Sequence, residues 1–298
     1  MAGWSALPIR DQRLLEWLWT GDVVTAELAT VLCYGNLRVA QRRLARLIEY
    51  GLVRGFWSAN SQRPRGRYAY ALTKAARDEL ELLIWGGETP DPLPGRVRAP
   101  SPVIHQLATH DMLGAFLRAS PVADGIGLAA WIPERGAALA FKGYLRPDAI
   151  AVFRAGHRAT LLMIERDLGT ERRDILAKKV ADYSNPLNRA PGANLGLIVE
   201  GRRRSASVRA SLRLRLEALR DSHKEPPTPC WVAVGAELFA DPFGALWHSP
   251  DGREATVLTM PPHDLRGELP ILSSQALLDV DAPDALDDRA LEAIRWRP

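Results

Sequence analysis

The sequence predicts a two-domain chain of mixed α and β class, and three observations predict it. Its 298 residues are enough for two separate cores. Residues 86–102 hold five prolines and three glycines and cannot continue a helix, so they divide the chain as a linker. Before the linker the order is three helices, a short hairpin and a fourth helix; after it the order is helix, three strands, helix, strand, helix, strand, a mixed α/β core rather than a regular alternation of crossovers. The predicted organisation is an N-terminal unit over 10–85, a linker over 86–102, a core over 103–240 and an acidic extension over 241–298.

In the N-terminal unit, Asp11 is the expected cap of a first helix carrying Leu14, Leu15, Trp17 and Leu18, and Gly21-Asp22 ends it. Thr25 caps a second helix reaching Leu32, and Cys33-Tyr34-Gly35 forms a tight turn. Asn36 caps a third helix to about Tyr50. At 100° per residue, Leu37, Ala40, Leu44, Leu47 and Ile48 of this helix fall on one side. Arg38, Arg42 and Arg46 form a row on the other, with Arg43 beside it. Two strands follow, Gly55–Ser58 and Arg67–Leu72, around a basic turn containing Arg63 and Arg65, with Arg67 at its end. Thr73 then caps a helix to about Trp85. A charged row alone is a solvated helix face. Placed on the third of three helices and followed by a basic hairpin, it is the pattern of a winged helix-turn-helix reading duplex DNA.

Composition agrees with a nucleic-acid partner more in distribution than in sum. The net charge is only +4, yet residues 36–70 hold eight arginines against the single acid Glu49. From Asp251 to the end, ten acids face five arginines. Arginine outnumbers lysine 34 to 5, a bias that a GC-rich coding sequence would also produce, so part of it is discounted. No apolar run reaches the ~18 residues of a membrane span, and the first nine residues are too short for a signal peptide. Cys33 and Cys230 fit neither a disulfide framework nor a zinc ligand set, which predicts a soluble protein of the reducing cytoplasm.

Beyond the linker, Pro102–Arg118 reads as a helix apolar on nearly all sides that nevertheless carries His105, His110 and Asp111. A buried Asp111 must be paired, hydrogen-bonded or metal-bound. Strands are expected at Gly127–Pro133, Leu145–Phe153, Arg158–Asp167, Asn194–Val199 and Cys230–Val234. Helices are expected from Thr170, as cap, to about Tyr183, and over Ala206–Leu219. Asp148 on the second strand would meet Glu165 and Asp167 on an antiparallel third. Clustered carboxylates need a neutralising cation, and an all-oxygen set with Asp111 as further ligand suits Mg2+ or Mn2+. Such an ion could activate water for phosphodiester attack. Lys179, on the buried side of the following helix with Leu176, Val180 and Tyr183, is the expected cation near a phosphate.

The segments Arg-Pro-Asp-Ala (146–149), Ile-Glu-Arg-Asp-Leu-Gly-Thr (164–170) and Lys-Val-Ala-Asp-Tyr (179–183), with His-Gln-Leu-Ala-Thr-His-Asp (105–111), resemble the bacterial replication-relaxation family of plasmids and mobile elements over roughly residues 10–200. The resemblance implies a core similar to the PD-(D/E)XK nuclease fold, with Asp148 as its first acid and Glu165 as its second. The sequence departs at Asp167, which stands where such a nuclease usually carries lysine; Lys179 could restore the charge from the helix. Two functions follow. One is a DNA-binding protein of replication or transfer whose core cleaves or nicks DNA with a divalent metal. The other is a non-enzymatic regulator whose degenerate core serves dimerisation or partner contact. In either, double-stranded DNA is the expected partner and a homodimer on a symmetric site the expected assembly, with no membrane and no small-molecule substrate. A weaker third reading makes the basic helix Arg202–Arg220 a non-specific binder of DNA or protein.

Overall fold

The computed structural model describes residues 6–58, 66–84, 102–120, 126–141, 145–156, 158–185, 192–222 and 227–262. Arg63 and Arg65 of the basic turn, nearly all of the linker and most of the acidic extension lie outside the described residues.

Helix α1 (Ile9–Gly21) starts after Pro8, whose ring fixes a φ of −55° suited to entering a helix. Asp11 is therefore not its cap; it sits in the first turn, fully buried. Helix α2 (Ala26–Ala29) is capped by Thr25, whose Oγ1 accepts the Leu28 amide at 3.2 Å, and runs on into a π turn, Thr30–Tyr34. Gly35 ends the turn at φ 71°, a left-handed conformation that glycine enters without a side-chain penalty. Helix α3 (Leu37–Glu49) is capped by Asn36, whose Oδ1 accepts the amides of Arg38 and Val39 at 2.9 and 3.3 Å. Its buried stripe is narrower than predicted. Ala40, Leu44 and Leu47 are fully covered, whereas Leu37 and Ile48, near the helix's two ends, are exposed.

Strands β1 (Val53–Ser58) and β2 (Arg67–Leu72) form an antiparallel hairpin, and an isolated bridge between Val24 and Tyr70 adds a third short partner. Helix α4 (Lys74–Ile84) follows, capped as expected by Thr73, whose Oγ1 accepts the Ala76 amide at 3.2 Å.

Helix α5 (Val103–Ala119) leads into a seven-stranded mixed sheet. Its strands, in spatial and chain order, are β3 (Ile126–Pro133), β4 (Ala149–Ala155), β5 (Arg158–Arg166), β6 (Asn194–Val199), β7 (Cys230–Val234), β8 (Trp247–His248) and β9 (Glu254–Ala255). The first three are antiparallel, β5, β6 and β7 are parallel, and the last two return antiparallel. Helices α7 (Arg173–Ser184) and α8 (Arg202–Ser222) make the two parallel crossovers. Short helices α6 (Glu134–Ala140) and α9 (Gly235–Ala240) follow β3 and β7. The second core strand begins only at Ala149, because Pro147 precedes Asp148 without a ladder partner. Thr170 is not a cap: the helix starts at Arg173.

Alternation along the strands sorts the core into two layers. Ile150, Val152, Leu161, Met163, Leu195, Leu197 and Val232 pack under Leu176 and Val180 of α7 and Val208 and Leu212 of α8. The other face, with Ala151, Phe153, Leu162, Ile164 and Trp231, packs against Met112, Leu113 and Phe116 of α5. That second layer is continuous with the core of the N-terminal helices, Leu14, Leu18, Leu44 and Leu47. Across the junction, the His110 ring meets Trp17 edge-on at 5.1 Å, and complete burial pushes the imidazole down to about 3, so it stays neutral.

Candidate functional site

Two charged regions stand out. The first is the outer face of α3, where Arg38, Gln41, Arg42, Ala45 and Arg46 are all exposed along one side. Arg46 reaches Glu49 at 2.8 Å, with both side chains more than half exposed. Arg43 does not belong to this row: it turns inward and clasps Asp11 with Nε, 3.1 Å from Oδ1, and with Nη2 on Oδ2. Tyr34 donates its hydroxyl to the same carboxylate at 2.8 Å. A single-residue step around the helix thus separates a solvent-facing arginine from a structural one. Arg67 is likewise engaged, donating through Nη1 and Nη2 to Asp111 at 2.5 and 2.6 Å. This bidentate pair answers how α5 carries its aspartate, and it ties the hairpin to the core.

The second region is a cleft of about 790 Å3 between the hairpin, α5 and the end of the sheet, lined among others by Arg67, His105, Asp111, Asp148, Glu171 and Lys179. The antiparallel register, with Ala149 opposite Ile164, brings Asp148 beside Glu165 on the face covered by α7. Asp148 Oδ2 accepts the Arg166 amide at 2.6 Å and lies 2.9 Å from His105 Nε2. Burial works against a charge on His105, but the hydrogen bond and charge of Asp148 prevail and raise its pKa above the ordinary value. Glu165 is buried and pushed up to about 7, first by desolvation and then by the charge of Asp148. Its Oε1 accepts the Tyr183 hydroxyl at 2.5 Å, and its Oε2 accepts from Lys179 Nζ at 2.8 Å. Lys179 also donates to Glu171 at 2.8 Å. Burial disfavours the ammonium, yet the two glutamates overcome it and hold Lys179 firmly charged.

Of the predicted cluster, the fold brings Asp148, Glu165 and Lys179 together. Asp167 departs from it. Just past the end of β5, its Oδ1 caps the following turn by accepting the Gly169 amide at 2.8 Å, and its Oδ2 is held by Arg204 Nε at 2.8 Å. Asp111 is taken by Arg67. Among the described residues, no group of three or more His, Cys, Asp or Glu side chains is placed to hold a metal ion. Lys179 on Glu165 and His105 on Asp148 take the place of such an ion. As placed, these residues do not fit a divalent cation: one would have to displace Lys179 from Glu165 and His105 from Asp148.

Sequence reasoning missed four participants, Glu171 among them. Tyr183 lies four residues beyond Lys179 on the same side of α7, a spacing that could have marked it. His105 was visible as a polar residue on an apolar helix. Arg204 comes from 37 residues beyond Asp167 and left no local signal.

No helix among the described residues is long and apolar enough to cross a membrane. Comparison with the curated proteins and with the solved structures gives no match. The sequence model of the replication-relaxation family matches residues 15–192, which takes in the N-terminal helices, the hairpin, α5 and both the Asp148 and Glu165 segments. The chain belongs to the replication-relaxation family.

Proposed function

We propose that this protein binds double-stranded DNA in plasmid or mobile-element replication or transfer, with the N-terminal unit acting as a winged helix-turn-helix. Family membership supports the process. The observation that carries the binding is the outer face of α3: a helix packed on Ala40, Leu44 and Leu47 that offers Arg38, Arg42 and Arg46 to solvent. A helix so presented enters a major groove, its arginines reaching guanine edges or phosphates. The α/β core acts without cleaving: Lys179 and His105 compensate its paired carboxylates, which makes it a nuclease-like frame turned to structural or partner-binding use.

Replacing Arg38 and Arg42 by alanine weakens duplex binding tenfold or more. It also flattens the dependence of log K on log salt by about 2, near 0.9 for each lost phosphate contact. An unchanged slope would remove α3 as the reading element. A second measurement addresses the core: supercoiled and linear DNA incubated with Mg2+ or Mn2+, comparing the protein with Asp148→Ala and Glu165→Ala. No cleavage is expected. Metal-dependent nicking present in the parent and absent from both variants would replace the non-catalytic reading with the nuclease one.

A further inference from the structure

Gly55 pairs with Tyr70 and Trp57 with Tyr68, so residues 53, 55 and 57 of β1 share one face of the hairpin with 68, 70 and 72 of β2. At its base this face is apolar and covered, with Val53 and Leu72 in the core that holds Leu44 and Leu47 of α3. Further out it is aromatic and open. Trp57 is 67% exposed and Tyr68 39%, with Tyr70 half-buried beside them. Tyr68 meets Trp57 edge-on at 5.2 Å and 69°, and meets Tyr70 at 5.2 Å and 86°. Gly55 makes this possible, since a Cβ there would collide with the Tyr68 ring and hydroxyl. The opposite face is already occupied: Ala69 and Ala71 pack with Leu107, and Arg67 holds Asp111.

A tryptophan two-thirds exposed is unusual in a folded domain, and here it continues into a ladder of ordered rings. Its electrostatic surroundings narrow the ligand. On α3, which packs against the base of this face, Arg38 and Arg42 are exposed and, among the described residues, in no ion pair, whereas Arg54 lies over Phe56 on the hairpin's opposite face. The surface suits a molecule that brings flat π faces together with a run of negative charge. Unpaired nucleobases on a phosphodiester strand have both, whereas an intact duplex hides its base faces and shows only edges.

We propose that Trp57, Tyr68 and Tyr70 form a stacking platform for the bases of single-stranded DNA, on the hairpin face that packs against the duplex-reading helix α3. The inference rests on the reading of the chain as a DNA-binding protein. It adds a second substrate form: the protein engages a place where duplex gives way to unpaired strand.

The test measures anisotropy of a labelled oligothymidylate and of a labelled duplex with the full chain, with Trp57→Ala/Tyr68→Ala, and with Trp57→Phe. The double variant is expected to bind oligothymidylate about tenfold or more weakly, with duplex binding unchanged. Trp57→Phe, which keeps a ring, retains most of the affinity. Single-strand binding unaltered in the double variant would overturn the platform, as would equal loss on both DNA forms. A shift in sedimentation of the double variant would overturn it too, by assigning the face to a second copy of the chain. Parent protein that binds duplex but not oligothymidylate overturns the platform alone. Binding of oligothymidylate without duplex overturns the duplex reading alone, and binding of neither overturns both.

Discussion

The outer face of α3 and the carboxylate group at the cleft treat charge in opposite ways. Among the described residues neither Arg38 nor Arg42 is in an ion pair, and both side chains stand in water. In the cleft, Asp148 has His105, Glu165 has Lys179 and Tyr183, and nearby Asp167 has Arg204. Charge left in water can be passed to a polyanion with release of counterions, at little cost to the fold. Charge already matched inside the protein is costly to unmatch, because the partner left behind is desolvated and alone. The first arrangement suits the proposed binding surface; the second holds the molecule together.

The sharpest way to break this contrast lies within α3, where Arg42 and Arg43 are neighbours on different sides of it. Arg43→Ala leaves the fully buried Asp11 carboxylate with Tyr34 alone. The expected loss is about 3 kcal/mol of unfolding free energy in urea titration, partly recovered by adding Asp11→Asn. Arg42→Ala, on the exposed side, stays within about 0.5 kcal/mol of the parent while weakening duplex binding. Equal stability of the two variants would show that Arg43 is a second outward arginine and that the inward assignment is wrong.

A smaller effect probes the cleft. Glu165 titrates near 7 in the folded protein, against an ordinary 4.5. Between those values the folded chain keeps a proton that the unfolded chain has released. The residue therefore contributes stability fully below about pH 4.5 and loses it as pH rises through 7. His105, raised above its ordinary 6.5, works in the same direction at higher pH. Glu165→Gln removes the first contribution and keeps a partner for Tyr183, while Lys179 keeps Glu171. Its unfolding free energy should fall less steeply than the parent's between pH 4.5 and 7, a difference of roughly 3 kcal/mol across the window. Parallel curves would mean that Glu165 is ionised throughout and that Lys179 alone sets its state.

Much of this contrast was legible in the sequence, and the remainder was hidden for a physical reason. Local rules place Asn36 and Thr73 as caps, the arginine row opposite Ala40, Leu44 and Leu47, and Asp148 across from Glu165. Helical periodicity alone turns Lys179 toward the sheet. These are decided by neighbours a few residues away or by strand register. Arg43 leaving its row for Asp11, Arg67 meeting Asp111 and Arg204 capturing Asp167 are decided by partners 32, 44 and 37 residues distant. Which charge is compensated is a property of the tertiary structure, so the sequence marks charged residues without sorting them into free and bound. Helix α6 escaped for a more local reason: seven residues after Pro133, rich in alanine, carry too little pattern to separate a helix from a turn.

The smallest expected effect concerns Arg67, which stands between the two classes. Its side chain and that of Asp111 are 27% and 35% exposed, so water screens the pair. A double-mutant cycle of Arg67→Ala and Asp111→Ala should return a coupling of about 1 kcal/mol, well below the cost of stranding Asp11. DNA binding then sorts the residue. While Asp111 holds it, Arg67 is unavailable to phosphate, and Arg67→Ala in the parent leaves the salt slope unchanged. Asp111→Ala frees the guanidinium beside the hairpin, and duplex affinity should rise a few-fold with a slope steeper by about 1. The opposite pattern, a slope that falls on Arg67→Ala and ignores Asp111→Ala, would mean that DNA outcompetes the aspartate. Arg67 would then belong with Arg38 and Arg42, and its contact with α5 would be a resting state broken on binding rather than a permanent tie between the halves.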